Sequence, residues 1–213
     1  MVWLPGGPGI DEIDGIDEIG VAHAIDEVGA TLLRAADVVL AEEGPTALTV
    51  RRIAAVAGVS TMNVYSRFGG KDGVVDHLYV EGFTRLRRAL ESATPTDDPM
   101  IDLQVAGAAY RRFALDHPTY YAVMFDAVVE FEPSAHALVT AGRTLQVLAD
   151  QLERAMDAGR LIRADPVVTA ASVWAACHGV VSLERRHVGP TGLDWSTVYD
   201  VTTAALMAGL AVR

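Results

Sequence analysis

Apolar residues recur at three- and four-residue steps along most of this chain, the period of a helix with one buried face. Ile25, Val28, Leu32, Ala35, Ala36 and Val39 follow that rule and predict a first helix over about 21–43, which Gly44 caps and Pro45 ends. Thr49 is placed to cap a second helix over 50–57, with Val50, Ile53, Ala54 and Ala57 facing inward. Gly58 supplies a left-handed turn, Ser60 caps a third helix over about 61–68, Gly69 and Gly70 close it, and Lys71 opens a fourth reaching about 93. The Thr, Pro and Asp residues of 94–99 form the clearest break. Beyond them the same period predicts helices over about 100–116, 120–129, 134–158, 166–186 and 196–212. No segment sustains a two-residue alternation long enough to demand a sheet. The expected fold is therefore all-α: an N-terminal three-helix unit containing a helix-turn-helix, joined by a connecting helix to a helical C-terminal domain.

Charge sharpens this division. The net charge is −11, but it is placed unevenly. Residues 1–44 carry ten carboxylates against the single Arg34, whereas residues 45–75 carry Arg51, Arg52, Arg67 and Lys71 against Asp72 alone. A basic island on an acidic protein can still bind phosphates. Ahead of it, Gly6, Gly7, Pro8 and Gly9 precede a loose acidic repeat: Ile10-Asp11-Glu12-Ile13, Ile16-Asp17-Glu18-Ile19 and Ile25-Asp26-Glu27-Val28. Three units are expected: a disordered acidic leader over 1–20, a helix-turn-helix unit over 21–75 and a helical domain over 76–213. Cys177 is the one cysteine, so no intramolecular disulfide can form. The N-terminus lacks the basic start of a signal peptide, and no apolar run reads as long enough to span a bilayer. A cytoplasmic protein with no membrane partner is expected.

A helix-turn-helix needs a small residue where its helices cross, a positive φ in the turn, and a second helix with polar residues outward and apolar anchors behind. Ala54, Gly58 and the Thr61 to Phe68 segment meet those needs, with Val64 and Phe68 facing in. The run from Leu32-Leu33-Arg34-Ala35-Ala36 through Glu43-Gly44, Thr49-Val50-Arg51-Arg52-Ile53-Ala54, Ala57-Gly58-Val59-Ser60 and Tyr65-Ser66-Arg67-Phe68 to Gly70-Lys71-Asp72 resembles the tetracycline-repressor (TetR) family of bacterial transcription regulators. The resemblance covers about fifty residues without gaps. It implies sequence-specific binding of double-stranded operator DNA, repression as the usual outcome, and a homodimer. Carried over by position, Thr49 and Arg51 contact phosphates or the groove edge, Ser60 caps the reading helix, and Thr61, Met62 and Asn63 read base edges. Tyr65 and Lys71 grip phosphates, and Arg67 does either. Asn63 suits adenine and Met62 a thymine methyl. Arg52 reads as a solvated charge, and Tyr65 has the alternative of packing under the first helix. The chain departs from the family upstream, where acidic residues replace basic ones. That stretch is either a solvated extension or an arm that lies on Arg51, Arg67 and Lys71 as a phosphate mimic.

The segment from Val173 to Leu183 is apolar around most of a helix, so it is buried on more than one side. Ala171, Ala175 and Gly179, four apart, allow another helix to approach closely; Ala204, Ala205, Ala208 and Gly209 do the same in the last helix. Two such helices from each of two chains would make a four-helix dimer interface, which agrees with the family. The Trp174-Ala175-Ala176-Cys177-His178-Gly179 stretch also looks like the Trp…His-Gly signature of one TetR C-terminal subgroup. Phe113, Tyr121, Met124, Phe125, Trp174 and His178 are candidates for a pocket holding a small hydrophobic effector, although each taken singly reads first as ordinary core. A ligand there would release a near-palindromic operator by shifting the dimer's population. No cofactor or metal is expected. Cys177 and His178 are neighbours about 100° apart on a helix and cannot form a nucleophile–base pair, and no catalytic motif is present. The protein is expected not to be an enzyme; the competing reading is a helical interaction module with weak or no DNA binding.

Overall fold

Most of the helices begin where a side chain accepts the first free amides. The computed structural model of the chain describes residues 25–212 apart from 93 and 128. The expected leader over 1–20 lies outside the described residues. Among the described residues there are nine α-helices and no strand: α1 Glu27–Glu43, α2 Val50–Ala57, α3 Thr61–Phe68, α4 Lys71–Glu91, α5 Pro99–Asp116, α6 Pro118–Phe125, α7 Ala135–Asp157, α8 Pro166–Arg185 and α9 Trp195–Leu210. Asp26, Thr49, Asp98, Ser134, Asp165 and Asp194 each cap a helix through a side-chain oxygen. Pro99, Pro118 and Pro166 occupy first-turn positions, where their missing N–H costs nothing.

Two helices differ most from expectation. α1 starts at Glu27, because the third acidic copy forms its cap: Asp26 is extended and its Oδ1 accepts from the Gly29 amide at 2.7 Å. α6 starts at Pro118 and ends at Phe125, four residues early, since Ala127 takes a positive φ of 49° that no helix continues through.

α1, α2, α3 and the first half of α4 enclose one apolar cluster. Leu32, Ala36, Val39, Ile53, Val64, Val74 and Val75 are fully buried in it. Burying a side chain such as Ile53 or Val64 contributes about 1.5–3 kcal/mol. α4 then continues into the C-terminal domain, where it packs on α5, α6 and α7. Gly82 makes room there for the Met124 thioether, since a Cβ would lie 2.6 Å from the sulfur. The Thr144 hydroxyl donates to the Phe83 carbonyl at 3.2 Å, tying α7 to α4.

α8 packs on α5, α7 and α9, and α9 lies on α8. Of α9, only Tyr199 is buried; its hydroxyl donates to the Gly107 carbonyl at 2.8 Å. One expectation needs correcting here. α8 is long and apolar enough to cross a membrane by length and composition, with a mean hydropathy of 1.5 over its best window. Ala, Ser, Thr and Gly break up the run to the eye, yet no charge interrupts it before Glu184. In this fold the helix is 28% buried over that window, and much of its remaining apolar surface faces outward beside α9.

The α3–α4 junction is tight. A Cβ on Gly73 would sit 1.8 Å from the Phe68 carbonyl oxygen, which is backbone and cannot swing aside. Gly73→Ala is expected to destabilise the protein by about 3 kcal/mol or more, a fall that urea unfolding followed by circular dichroism measures directly.

Candidate nucleic-acid interface and buried polar cluster

The turn between α2 and α3 is held from within. Gly58 is left-handed, with φ 69° and ψ 27°, and its N–H reaches the carbonyls of Ala54 and Ala55. The Val59 N–H donates to the Ala54 carbonyl at 3.0 Å. Val64 and Phe68 anchor α3 inward, and the Phe68 ring meets His77 edge-on at 4.9 Å. The opposite face of α3 is bare. Met62 is 69% exposed and Tyr65 54%, and Thr61 is also exposed. More than half of the Tyr65 surface is thus open to solvent.

The cations divide into two groups. Arg51 is exposed and, among the described residues, no carboxylate pairs with it. Lys71 opens α4, with Asp72 a loose 3.9 Å away. Arg52, by contrast, is clamped by Glu43, with Nε 2.9 and 3.0 Å from the two carboxylate oxygens and Nη2 at 2.7 Å. Arg67 is clamped by Asp26 at 2.8, 3.1 and 2.6 Å, and its Nη1 donates to Asn63 Oδ1 at 2.9 Å. The Arg67 guanidinium, helped by the Gly29 amide, holds the Asp26 carboxyl down to about 2, so the clamp stays ionised at any ordinary pH. Asn63 Nδ2 donates to Ser60 Oγ at 3.1 Å. Thr49 caps α2 through the Arg52 amide at 3.2 Å. Ser60 makes no side-chain cap to the α3 backbone, because its hydroxyl is turned to Asn63 instead.

In the C-terminal domain, four of the six pocket candidates meet. Tyr121 stacks on His178 with centroids 5.6 Å apart, Phe125 lies 5.1 Å from His178 and 5.6 Å from Trp174, and Trp174 lies 5.8 Å from His178. The other two point elsewhere. Met124 rests against Gly82, and Phe113 lines a cleft of about 160 Å³ with Arg85, Arg112 and His117. Inside the aromatic shell runs a chain of polar atoms. Trp174 Nε1 donates to Tyr110 Oη at 3.3 Å, Tyr110 and Tyr121 hydroxyls are 3.0 Å apart, Tyr121 Oη is 2.7 Å from His178 Nδ1, and His178 Nε2 is 3.2 Å from Ser182 Oγ. The Trp174, Tyr110, Tyr121 and His178 donors are all used if Tyr110 gives to Tyr121, Tyr121 to Nδ1, and Nε2–H to Ser182. Burial pushes the Tyr110 and Tyr121 hydroxyls up, so both stay protonated. Burial likewise pushes His178 down, Asp126 opposes this, and Arg186 and Arg185 reinforce it. The imidazole is neutral, as the chain requires. Burial also raises the Cys177 thiol, which sits against Tyr199.

Two family models match, one in each half. Residues 32–78 match the model for bacterial regulatory proteins of the tetR family, and residues 103–206 match that for the tetracyclin repressor-like C-terminal domain. The chain belongs to the TetR family. An HTH-type transcriptional repressor of Mycobacterium tuberculosis strain H37Rv is 39% identical over 95 residues, a match covering 43% of this chain and 48% of that relative. The chain thus spans about half the length of the curated relatives it matches. Among solved structures, a protein of unknown function from Rhodococcus sp. RHA1 shares the fold with a TM-score of 0.78 at 23% identity, covering 91% of this chain and all of that one. AibR, in complex with isovaleryl coenzyme A and operator DNA, does so with a TM-score of 0.65 at 17% identity, covering 85% and 98%.

In this TetR-family chain, the motif takes in Thr49, Arg51, Thr61, Met62 and Tyr65, which are exposed, and Lys71, which is half-buried. It does not reach the carboxylates that hold Arg67 and Arg52, nor Tyr110 and Ser182, which complete the polar chain. Ser182 lies four residues after His178, at helical spacing, which is the signal that could have found it. Among the described residues, no group of three His, Cys, Asp or Glu side chains gathers to hold a metal ion.

The imidazole has a stability consequence. Its folded pKa lies below the ordinary 6.5, so the unfolded chain takes up the proton first. The stabilisation it provides is complete above pH 6.5 and is lost as the pH falls through the folded value. The melting temperature should therefore drop on acidification from pH 7 to 5, and His178→Gln should flatten that part of the curve in differential scanning calorimetry.

Proposed function

We propose that this protein is a dimeric transcription regulator that binds a near-palindromic DNA operator through α3 and is released from it by a small hydrophobic effector. The observation that carries the DNA-binding reading is the outward face of α3. Thr61, Met62 and Tyr65 project from a helix whose inner face is fully anchored, and Arg51 and Lys71 flank it unclamped or loosely held. A helix of this size fits the major groove. Base edges are read by Thr61, Met62 and Asn63; Thr49, Arg51, Tyr65 and Lys71 grip the backbone, which fixes position without choosing sequence. Residues 21–75 form the reading unit and 76–213 the effector and dimer unit. Repression is the assigned sign, as in the curated M. tuberculosis relative, and the site of action is the cytoplasm.

The dimer reading is supported by the outer face of α8 and α9. Val168 is 63% and Val201 62% exposed, and Ala175, Leu183, Ala204, Ala205 and Ala208 are exposed beside them. A Cβ on Gly179 or Gly209 would meet nothing within 4 Å, so both are open to a second chain. Small residues at those positions let two helix pairs approach closely. The effector reading is supported by the polar chain inside the aromatic shell of Tyr121, Phe125 and Trp174, the composition of a small-molecule site. AibR, which has this fold and was solved in complex with isovaleryl coenzyme A and operator DNA, points the same way.

Selection of bound sequences from random DNA should return an inverted repeat with half-site centres about 10 base pairs apart. Lys71→Ala should leave that sequence unchanged while making the salt dependence of binding shallower by about two in the log–log slope, one phosphate per subunit. Met62→Ala should change the selected sequence. Failure to bind any duplex at low salt would favour the interaction-module reading. Ala175→Arg should convert a dimer to a monomer in sedimentation equilibrium and cost about 100-fold or more in operator affinity; a monomeric unmodified protein would sink the dimer reading.

A further inference from the structure

We propose that Asp26 and Arg67 are positioning residues that preset the Asn63 side-chain amide to read an adenine, a role that rests on the DNA-binding reading above. Four side chains form one linked series from α1 to the start of α3. The Gly29 amide donates to Asp26 at 2.7 Å, Asp26 takes both faces of the Arg67 fork, Arg67 Nη1 donates to Asn63 Oδ1 at 2.9 Å, and Asn63 Nδ2 donates to Ser60 Oγ at 3.1 Å. A guanidinium donates and never accepts, so its contact with Asn63 decides which amide atom is the oxygen. The inventory of the amide then fixes what is left. It has two N–H groups and two lone pairs; Ser60 takes one N–H and Arg67 one lone pair. One donor and one acceptor remain, and these are what the N7 and N6-amino groups of adenine require.

The clamp itself comes from outside the helix-turn-helix, 41 residues upstream of Arg67. Two carboxylate oxygens on Nε and Nη2 hold one edge of the guanidinium at two points, so Arg67 cannot swing away from Asn63 without giving up a charge-assisted, two-point contact. Arg67 on this account is neither a phosphate ligand nor a base reader. The rival arrangement, in which Asp26 withholds Arg67 from a phosphate, predicts the opposite response to removing the carboxylate.

Asp26→Ser separates the two, since serine keeps a cap for the Gly29 amide while losing the clamp. The measurement is affinity of the full-length dimer for its selected operator and for duplexes in which each half-site A·T pair is replaced in turn. With Asp26→Ser, discrimination at one adenine should fall about 3- to 10-fold, with the salt slope unchanged. Asn63→Ala should lose at least about fivefold discrimination at that same position, and adding Asp26→Ser to it should change nothing further there. Should Asp26→Ser fold poorly, Asp26→Asn and Arg67→Lys give the same test. Unaltered discrimination overturns the proposal, as does tighter binding with a steeper salt slope, or an Asp26→Ser effect that persists without Asn63. Each of these leaves DNA binding itself standing, whereas absence of any selective binding by the unmodified protein overturns both.

Discussion

Eight residues of helix do not hold their shape alone in water, because too few hydrogen bonds repay the cost of the first turn. α3 is of that length, so its pose is a property of what grips it. Val64 and Phe68 supply the inward grip, the left-handed Gly58 sets the angle at which α3 leaves α2, and the Phe68 ring against His77 fixes its far end to α4. The close pass of Gly73 beneath the Phe68 carbonyl removes the last freedom at that end. A helix held this completely on one side can present bare, apolar side chains on the other at little ordering cost when a groove receives it. The exposed Met62 and Tyr65 are tolerable only because the anchors behind them leave no alternative packing.

How much of this is legible in the sequence depends on the range of each interaction. The helix-turn-helix is readable because its requirements are local: apolar period, a glycine at the turn, caps at fixed offsets. Ala54, Gly58, Val64 and Phe68 announce themselves within fifteen residues. The Asp26–Arg67 clamp joins positions 41 apart, and nothing in a run of acidic residues says which carboxylate will meet which arginine. Arg52 is an exposed surface charge, but its partner is illegible for the same reason: Glu43 lies beyond a helix end and a turn, and only the fold brings it 2.7 Å away. In the C-terminal domain, the aromatic members are visible by composition, but whether a given ring faces its neighbours or the opposite helix is not. Met124 and Phe113 share the chemistry of the cluster and lie outside it. The apolar length of α8 is easily underrated because small residues dilute its hydropathy while leaving it uncharged.

Charge sets a second constraint. The protein carries a net charge of −11, and carboxylates immobilise two of the four cations in the helix-turn-helix region. What remains outward on each chain is Arg51 and Lys71. A single chain would thus have few phosphate contacts to set against its own acidic field, and both act through counterion release that salt readily erodes. Pairing two chains doubles those contacts without doubling the loss of translational freedom. The outer face of α8 and α9, apolar and lined with small residues, is the surface that such pairing would cover. On the proposed function, dimerisation and DNA affinity would in this sense be one requirement met at two ends of the molecule.

The two ends are joined by few elements, and α6 is placed where a ligand would be felt. Two of its side chains, three positions apart, reach different helices: Tyr121 hydrogen-bonds His178 on α8, while Met124 sits in the notch that Gly82 leaves in α4. α4 in turn begins at Lys71 and carries the Gly73 and His77 contacts that hold the end of α3. A molecule that entered between Tyr121 and His178 would have to break a 2.7 Å hydrogen bond and part stacked rings. Tyr121 is fully buried, so part of that displacement would fall on α6. With Met124 already seated against α4, α6 cannot yield without either leaving that notch or pushing α4 along with it. The first loosens the link between the domains, and the second tilts the base on which α3 stands. In both cases the spacing of the two α3 helices in the proposed dimer would change, so the proposed coupling from effector to operator would need no continuous wire of contacts. It would need only that one short helix cannot satisfy both neighbours once a ligand has taken the place of one of them.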